Sequence, residues 1–183
     1  MTLHSEISEQ PDRIKNLFSS QRGQVERIAA EIQKREIDYV FLAARGTSDN
    51  AGRYANYLLG AMNRLPLALA TPSLFTYYKK PPVLKNALII GISQSGKSPD
   101  IVSVLEEGRR QGCLTLSITN EPASPLAQTS DFVLELQAGA EKAVAATKTY
   151  TTELMCVAML SAALAGDKKM WAELAKLPAW MKQ

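Results

Sequence analysis

An α/β fold with a parallel sheet is predicted by three observations. Short apolar runs of strand length alternate with amphipathic stretches of helix length along the chain. The strongest run, Ala87-Leu88-Ile89-Ile90-Gly91-Ile92, shows no polar alternation, which is the pattern of a strand buried on both faces. Two of the strand-like runs are followed by loops rich in glycine and hydroxyl residues, at the strand ends where α/β sheets bind their ligands. The expected architecture is a three-layer α/β/α sandwich, with helices on both faces of the sheet.

Each element has its own signal. Residues 11–35 read as a helix that starts at Pro11. Ile14, Leu17 and Phe18 share a face, and after a break near Gly23 the spacing resumes with Val25, Ile28, Ala29 and Ile32. Residues 39–44 read as a first strand, followed by a helix from the Gly46-Thr47-Ser48-Asp49 turn to about Asn63. A second strand, 65–70, carries Pro66 and so belongs at an edge. A short helix or turn spans 72–78, and the third strand is 87–92. Residues 98–111 form the next helix, with Pro99 in its first turn and Gly112 closing it. Strands at 114–118 and 132–136 enclose a short helix at 125–129. A long apolar helix covers 147–165, Gly166-Asp167 breaks it, and 168–177 is a further amphipathic helix. If the strands lie in the order 2-1-3-4-5, the first and third are neighbours and their loops converge on one crevice.

Composition narrows the class. At 183 residues the chain can build one domain with a sizeable core, or a domain with an appendage. The formal net charge is +3, with Lys and Arg scattered rather than gathered in a stripe, so nucleic acid is not an expected partner. Cys113 and Cys156 sit in apolar runs and read as buried thiols in a reducing compartment. Metal-ligand spacing, an apolar run of membrane-span length and a signal peptide are all absent from the sequence. The expectation is a cytoplasmic protein with no cofactor, no metal and no membrane contact.

The loop Ser93-Gln94-Ser95-Gly96-Lys97-Ser98 carries the strongest chemical signal. A phosphate needs several donors aimed at one point, and a helix N-terminus with neighbouring hydroxyls supplies them. Ser93, Ser95 and Ser98 add hydroxyls, Gln94 an amide, and Gly96 lets the backbone close in. Helix capping alone would account for one serine. The same stretch, from Gly91 to Ser98, also fits G-x-x-x-x-G-K-[ST], the nucleotide P-loop, between a strand and a helix. Against that reading, Gly91 falls inside the apolar strand, no Asp ends a strand, and Glu135 is a poor Mg²⁺ partner.

Four segments in register resemble the sugar isomerase (SIS) domain family. They are Glu6 to Pro11, Ala44 to Gly52, Ile92 to Gly96 and Gly139 to Leu154. The lead-in at Glu6 to Pro11 is similar to the isomerase portion of glucosamine-6-phosphate synthase and to relatives without a glutaminase domain. The resemblance implies the SIS fold, with five parallel strands in the flavodoxin-like order 2-1-3-4-5. It implies a phosphorylated sugar of the fructose-6-phosphate or glucosamine-6-phosphate class as ligand. Ser93, Gln94, Ser95 and Ser98 would bind the phosphate with Gly96 between them. Gly46, Thr47, Ser48 and the backbone near Val144 would face the sugar. Lys97 stands where relatives usually carry Glu, and Ala146 where they often carry Ser.

Relatives of that branch pair two SIS domains, and the glutamate, histidine and lysine of their isomerase chemistry come from the second. Here the only histidine is His4, and the helix after the first loop, 50–63, contains no carboxylate. The chain therefore divides into a helical lead-in (1–35), an SIS domain (36–165) and a helical tail or linker (166–183). Glu153 is the candidate base if the chain isomerises sugars alone. Lys148 reads as an electrostatic residue more than a Schiff-base former, and Glu141 as structural or at a subunit contact. Tyr54 and Tyr57 read as core or interface. Met170, Trp171, Trp180 and Met181 read as an exposed apolar set for docking a second SIS domain or another copy in a dimer. Four functions compete: the sugar-phosphate-binding half of a two-domain isomerase or aminotransferase-like protein, a complete single-domain aldose–ketose isomerase, a phosphosugar sensor, and a P-loop nucleotide binder.

Overall fold

A computed structural model describes residues 2–182. The elements in chain order are α1 (Leu3–Gln33), β1 (Tyr39–Ala43), α2 (Thr47–Asn63), β2 (Leu67–Leu69), α3 (Ser73–Thr76), β3 (Ala87–Ile92), α4 (Pro99–Arg110), β4 (Leu114–Thr119), α5 (Pro125–Thr129), β5 (Phe132–Glu135), α6 (Lys148–Ala165), α7 (Lys168–Leu174) and α8 (Leu177–Trp180). The five strands are all parallel and lie in the order β2-β1-β3-β4-β5. Burial follows position in the sheet. Every residue of β3 and β4 is buried, whereas β2 and β5, at the edges, are largely half-exposed. A continuous apolar run marks a strand covered on both sides.

Two cores cover the two faces. One joins Val40, Leu42, Leu88, Ile90, Ile118 and Leu134 of the strands to α1, α2, α6 and α7. The other sets Phe41, Ile89 and Ala43 against α3, α4 and α5 through Phe75, Ile101, Leu105 and Leu126. The strand order puts its reversal between β1 and β3, so the loops leaving those strands lie side by side.

Three expectations need correction. Helix α1 begins at Leu3 instead of Pro11 and runs without a break through Gly23. Its start is fixed by a capping box: Ser5 N donates to Thr2 Oγ1 at 3.2 Å and Thr2 N donates to Ser5 Oγ at 3.0 Å. Pro11 lies inside the helix on its buried face, and packing outweighs the lost backbone bond. Trp171 is buried, edge-on to Phe18 at 5.7 Å with Arg22 over its ring, so it belongs to the core and not to an exposed set. Trp180 and Met181 remain exposed. The last amphipathic stretch is two short helices, α7 and α8, rather than one.

Candidate functional site

A crevice of about 280 Å³ opens at the carboxyl ends of β1 and β3. It is lined by Arg45, Thr47 and Ser48 from the loop after β1 and the start of α2. Ile92, Ser93, Gln94, Ser95, Ser98 and Ile101 come from the end of β3, its loop and the start of α4. Val144, Ala146, Thr149 and Glu153 come from the segment before α6 and its first turns. Seven of the expected ligand-facing residues thus meet there: Thr47, Ser48, Ser93, Gln94, Ser95, Ser98 and Val144. Glu153 joins them. Gly46, Gly96 and Lys148 shape the surroundings without lining the crevice. Arg45 and Thr149 were not singled out by the sequence. Arg45 is the residue flanking Gly46, and the neighbourhood of that glycine was the available signal.

The loop after β3 is built from within. Gly96 has φ of +60°, and a Cβ there would lie 2.0 Å from Ser124 Oγ. Only glycine fits both the left-handed backbone and the close approach. Ser93 Oγ accepts from Gly96 N at 3.2 Å, and Ser95 Oγ from Lys97 N at 3.3 Å. The β4 end braces the turn: Asn120 N and Thr119 Oγ1 both donate to the Gln94 carbonyl, at 3.0 and 3.2 Å. Ser98 occupies the N-cap position of α4 but makes no side-chain cap bond among the described residues. Its hydroxyl is therefore available to the crevice rather than to the helix.

Gly91 belongs to β3 and is buried there. A Cβ at Gly91 would come within 2.7 Å of Leu105 and 3.0 Å of Leu126. It is a packing glycine between sheet and helices, not a turn in a phosphate loop. The carboxylate that ends a strand, Glu135, sits on edge strand β5, separated from β3 by β4. The G-x-x-x-x-G-K-S spelling is thus produced by two glycines with separate steric duties.

The third wall has no regular structure between β5 and α6. Glu141 closes it onto the N-terminus of α6. Its carboxylate accepts from Thr147 N at 2.9 Å, Thr149 N at 3.3 Å and Thr147 Oγ1 at 3.0 Å, and from the Thr149 hydroxyl. Burial pushes Glu141 up, but these bonds outweigh it and hold the carboxyl below its ordinary range. The anion slot at the start of α6 is filled by the protein's own carboxylate, which leaves the start of α4 as the open helix end at the crevice.

Glu153 lies in the second turn of α6 and is almost fully buried. Ser48 Oγ donates to its Oε1 at 2.7 Å, and Oε2 has no partner among the described residues. Burial raises its pKa to about 7, the Glu141 charge adds to the rise, and the Ser48 bond opposes it. A half-satisfied carboxyl titrating near neutrality at the floor of a crevice can accept or deliver a proton. Lys148 is wholly buried and its ammonium is paired with Glu9 Oε2 at 2.8 Å. His4 is exposed on the first turn of α1. Among the described residues there is no cluster of three or more His, Cys, Asp or Glu placed to hold a metal ion, and no helix is long and apolar enough to cross a membrane.

Known proteins share the sequence pattern and the fold of this chain. The SIS domain profile matches residues 35–163. The chain is 37% identical over 168 residues to the glutamine–fructose-6-phosphate aminotransferase of Halalkalibacterium halodurans, covering 89% of this chain and 28% of that enzyme. It is 36% identical over 160 residues to the same enzyme of Thermus thermophilus, covering 85% of this chain and 26% of the relative. The chain therefore spans little more than a quarter of the length of these relatives. Among solved structures, a candidate phosphosugar isomerase from Silicibacter pomeroyi DSS-3 superimposes with a TM-score of 0.93 at 38% identity, over 97% of this chain and 54% of that one. The C-terminal domain of the Francisella tularensis glucosamine–fructose-6-phosphate aminotransferase gives 0.79 at 28% identity, over 97% and 51%. With the profile covering most of its length and the loops of β1 and β3 meeting as described, the chain belongs to the SIS domain family.

Proposed function

We propose that the crevice binds a phosphorylated sugar of the fructose-6-phosphate or glucosamine-6-phosphate class. The phosphate lies against Ser93, Gln94, Ser95 and Ser98 at the start of α4, with Gly96 giving the turn. The sugar lies between Gly46-Thr47-Ser48 and the backbone near Val144. The observation that carries this reading is the convergence of five hydroxyls and an amide from two neighbouring strand-end loops on one crevice. The aminotransferase names of the curated relatives supply the sugar class.

The unit then serves as the N-terminal half of a two-SIS-domain isomerase or aminotransferase-like protein in the cytoplasm. Residues 1–35 act as lead-in, 36–165 as the SIS unit and 166–183 as the tail. Its partner is a second SIS domain or, in a dimer, a second copy. Exposed Trp180 and Met181, and a groove lined by Ile14, Tyr54, Leu154, Leu177 and Met181, support such pairing.

A second reading, a chain that isomerises sugars by itself, is favoured by the buried, half-satisfied Glu153. In that case Glu153 relays the proton between adjacent sugar carbons. A calorimetric titration with fructose 6-phosphate, glucosamine 6-phosphate, inorganic phosphate and Mg-ATP tests both. Binding of a sugar phosphate without Mg²⁺ is expected, and Ser93→Ala and Ser95→Ala should each weaken it by about 1–3 kcal/mol. Response to Mg-ATP alone would sink the phosphosugar reading. Turnover abolished by Glu153→Gln, with binding kept, would establish the second.

A further inference from the structure

The third wall of the crevice is held by residues more than a hundred positions away in sequence. Glu6 is fully buried in the first turn of α1. Its two carboxylate oxygens accept from two consecutive backbone amides, Lys142 N at 2.7 Å and Ala143 N at 3.2 Å. One turn on, Glu9 Oε2 accepts from Lys148 Nζ at 2.8 Å and from Arg13 Nη2 at 2.8 Å. A further turn on, the Arg13 guanidinium lies against Gly139, where an added Cβ would fall 3.1 Å from Arg13 Cζ. One face of α1 therefore grips the wall at its beginning, middle and end. The residue after Ala143 is Val144, whose side chain points into solvent and buries nothing. Its backbone is placed by the neighbouring amides and not by its own packing.

We infer that Glu6 and Glu9 are positioning residues for the sugar end of the ligand, acting through the 142–148 backbone; this rests on the phosphosugar reading. Glu6 fixes the backbone beside Val144. Glu9 fixes Lys148, and with it the start of α6 that brings Thr149 and Glu153 to the crevice. Neither carboxylate lines the crevice. Losing Glu6 leaves two amides to find new partners, and the wall must then be ordered by the ligand itself, which weakens binding. The phosphate cradle lies on the other side and is braced by β4, so it is left intact.

The test measures the affinities of fructose 6-phosphate and inorganic phosphate for the wild-type chain, Glu6→Ala and the milder Glu6→Gln. Glu6→Gln keeps one acceptor oxygen and carries the test if the alanine variant does not fold. The sugar phosphate is expected to bind about tenfold more weakly to Glu6→Ala, and inorganic phosphate less than about twofold more weakly. Amide hydrogen exchange at Lys142 and Ala143 should speed up in both variants. Ile28→Val, a buried change elsewhere on α1, should lower the melting temperature without changing the ratio of the two affinities. Unchanged sugar-phosphate affinity in both Glu6 variants would overturn the inference while leaving the phosphosugar reading standing. Parallel loss of both affinities would also overturn it, since that is a general loss of structure. A wild-type chain that binds neither ligand removes the phosphosugar reading and the inference together.

Discussion

The two loops that face each other across the crevice are held in opposite ways. The loop after β3 is short, folds back on itself and is braced by the end of β4, its neighbour in the sheet. Its shape is a local property of Gly96 and the serines around it. The wall before α6 is longer and has no regular structure. It is fixed by carboxylates: Glu141 from within, and Glu6 and Glu9 from α1. Steric demand sets the first loop and charged hydrogen bonds set the second. The first loop therefore answers to close packing around Gly96, whereas the wall answers to a few charged side chains.

The contrast predicts a graded series of effects. Gly96→Ala attacks the steric loop directly. Its new methyl would overlap Ser124, whose Oγ caps α5, and its backbone would remain at φ +60°. A loss of roughly 3–5 kcal/mol in denaturant unfolding is expected, along with loss of phosphate binding. Ser124→Gly in the same chain should recover part of it. A cost under about 1 kcal/mol would show that the loop is softer than its contacts imply.

Glu153, on the floor between the loops, gives a change of opposite sign. Its folded-state pKa of about 7 lies above the ordinary 4.5. Between those values the folded chain holds a proton that the unfolded chain has lost. Stability therefore falls as pH rises through this window and stays lower above it. Glu153→Gln removes that dependence and should stabilise the chain at pH 8 by as much as ~3 kcal/mol, with little change at pH 4. A variant that is less stable at pH 8 would mean that the carboxylate is better solvated than its burial indicates.

On the charged wall, Glu141→Ala frees the amides of Thr147 and Thr149 and uncovers the start of α6. About 2 kcal/mol of destabilisation is expected by thermal or chemical unfolding. Sugar-phosphate affinity should fall more than phosphate affinity. Equal loss of both would erase the division of labour between the loops. The smallest effect belongs to Val144→Ser, at the exposed tip of the wall, with less than about 0.5 kcal/mol expected in stability. A larger change would mean that the wall depends on its own side chains.

Legibility in the sequence follows the same division. The strands and the β3 loop are readable because apolar runs, glycines and serines act on their immediate neighbours, whereas the strand order, a long-range property, comes with the resemblance to SIS domains. Gly91 spelled half of a nucleotide motif, yet the apolar run around it placed it in the strand, where Leu105 and Leu126 approach it. The role of Glu6 was not readable, since its partners Lys142 and Ala143 are backbone amides, which no residue type announces. The start of α1 was missed because Pro11 mimics a first-turn proline, while the true cap, Thr2 with Ser5, lies nine residues upstream. Trp171 reads as a docking residue in the sequence because an aromatic in a short terminal helix gives no sign that Phe18 and Arg22 enclose it.

The grip of Glu6 on Lys142 also orders events in time. The two residues are separated by 136 positions. A chain made from its N-terminus can complete β1 to β4 and close the serine loop while the wall is still unmade. Helix α1 emerges first with Glu6 and Glu9 lacking their partners, and those carboxylates stay in water until the segment before α6 arrives. The wall before α6 is thus the last side of the crevice to be assembled during synthesis, after the serine loop has already closed.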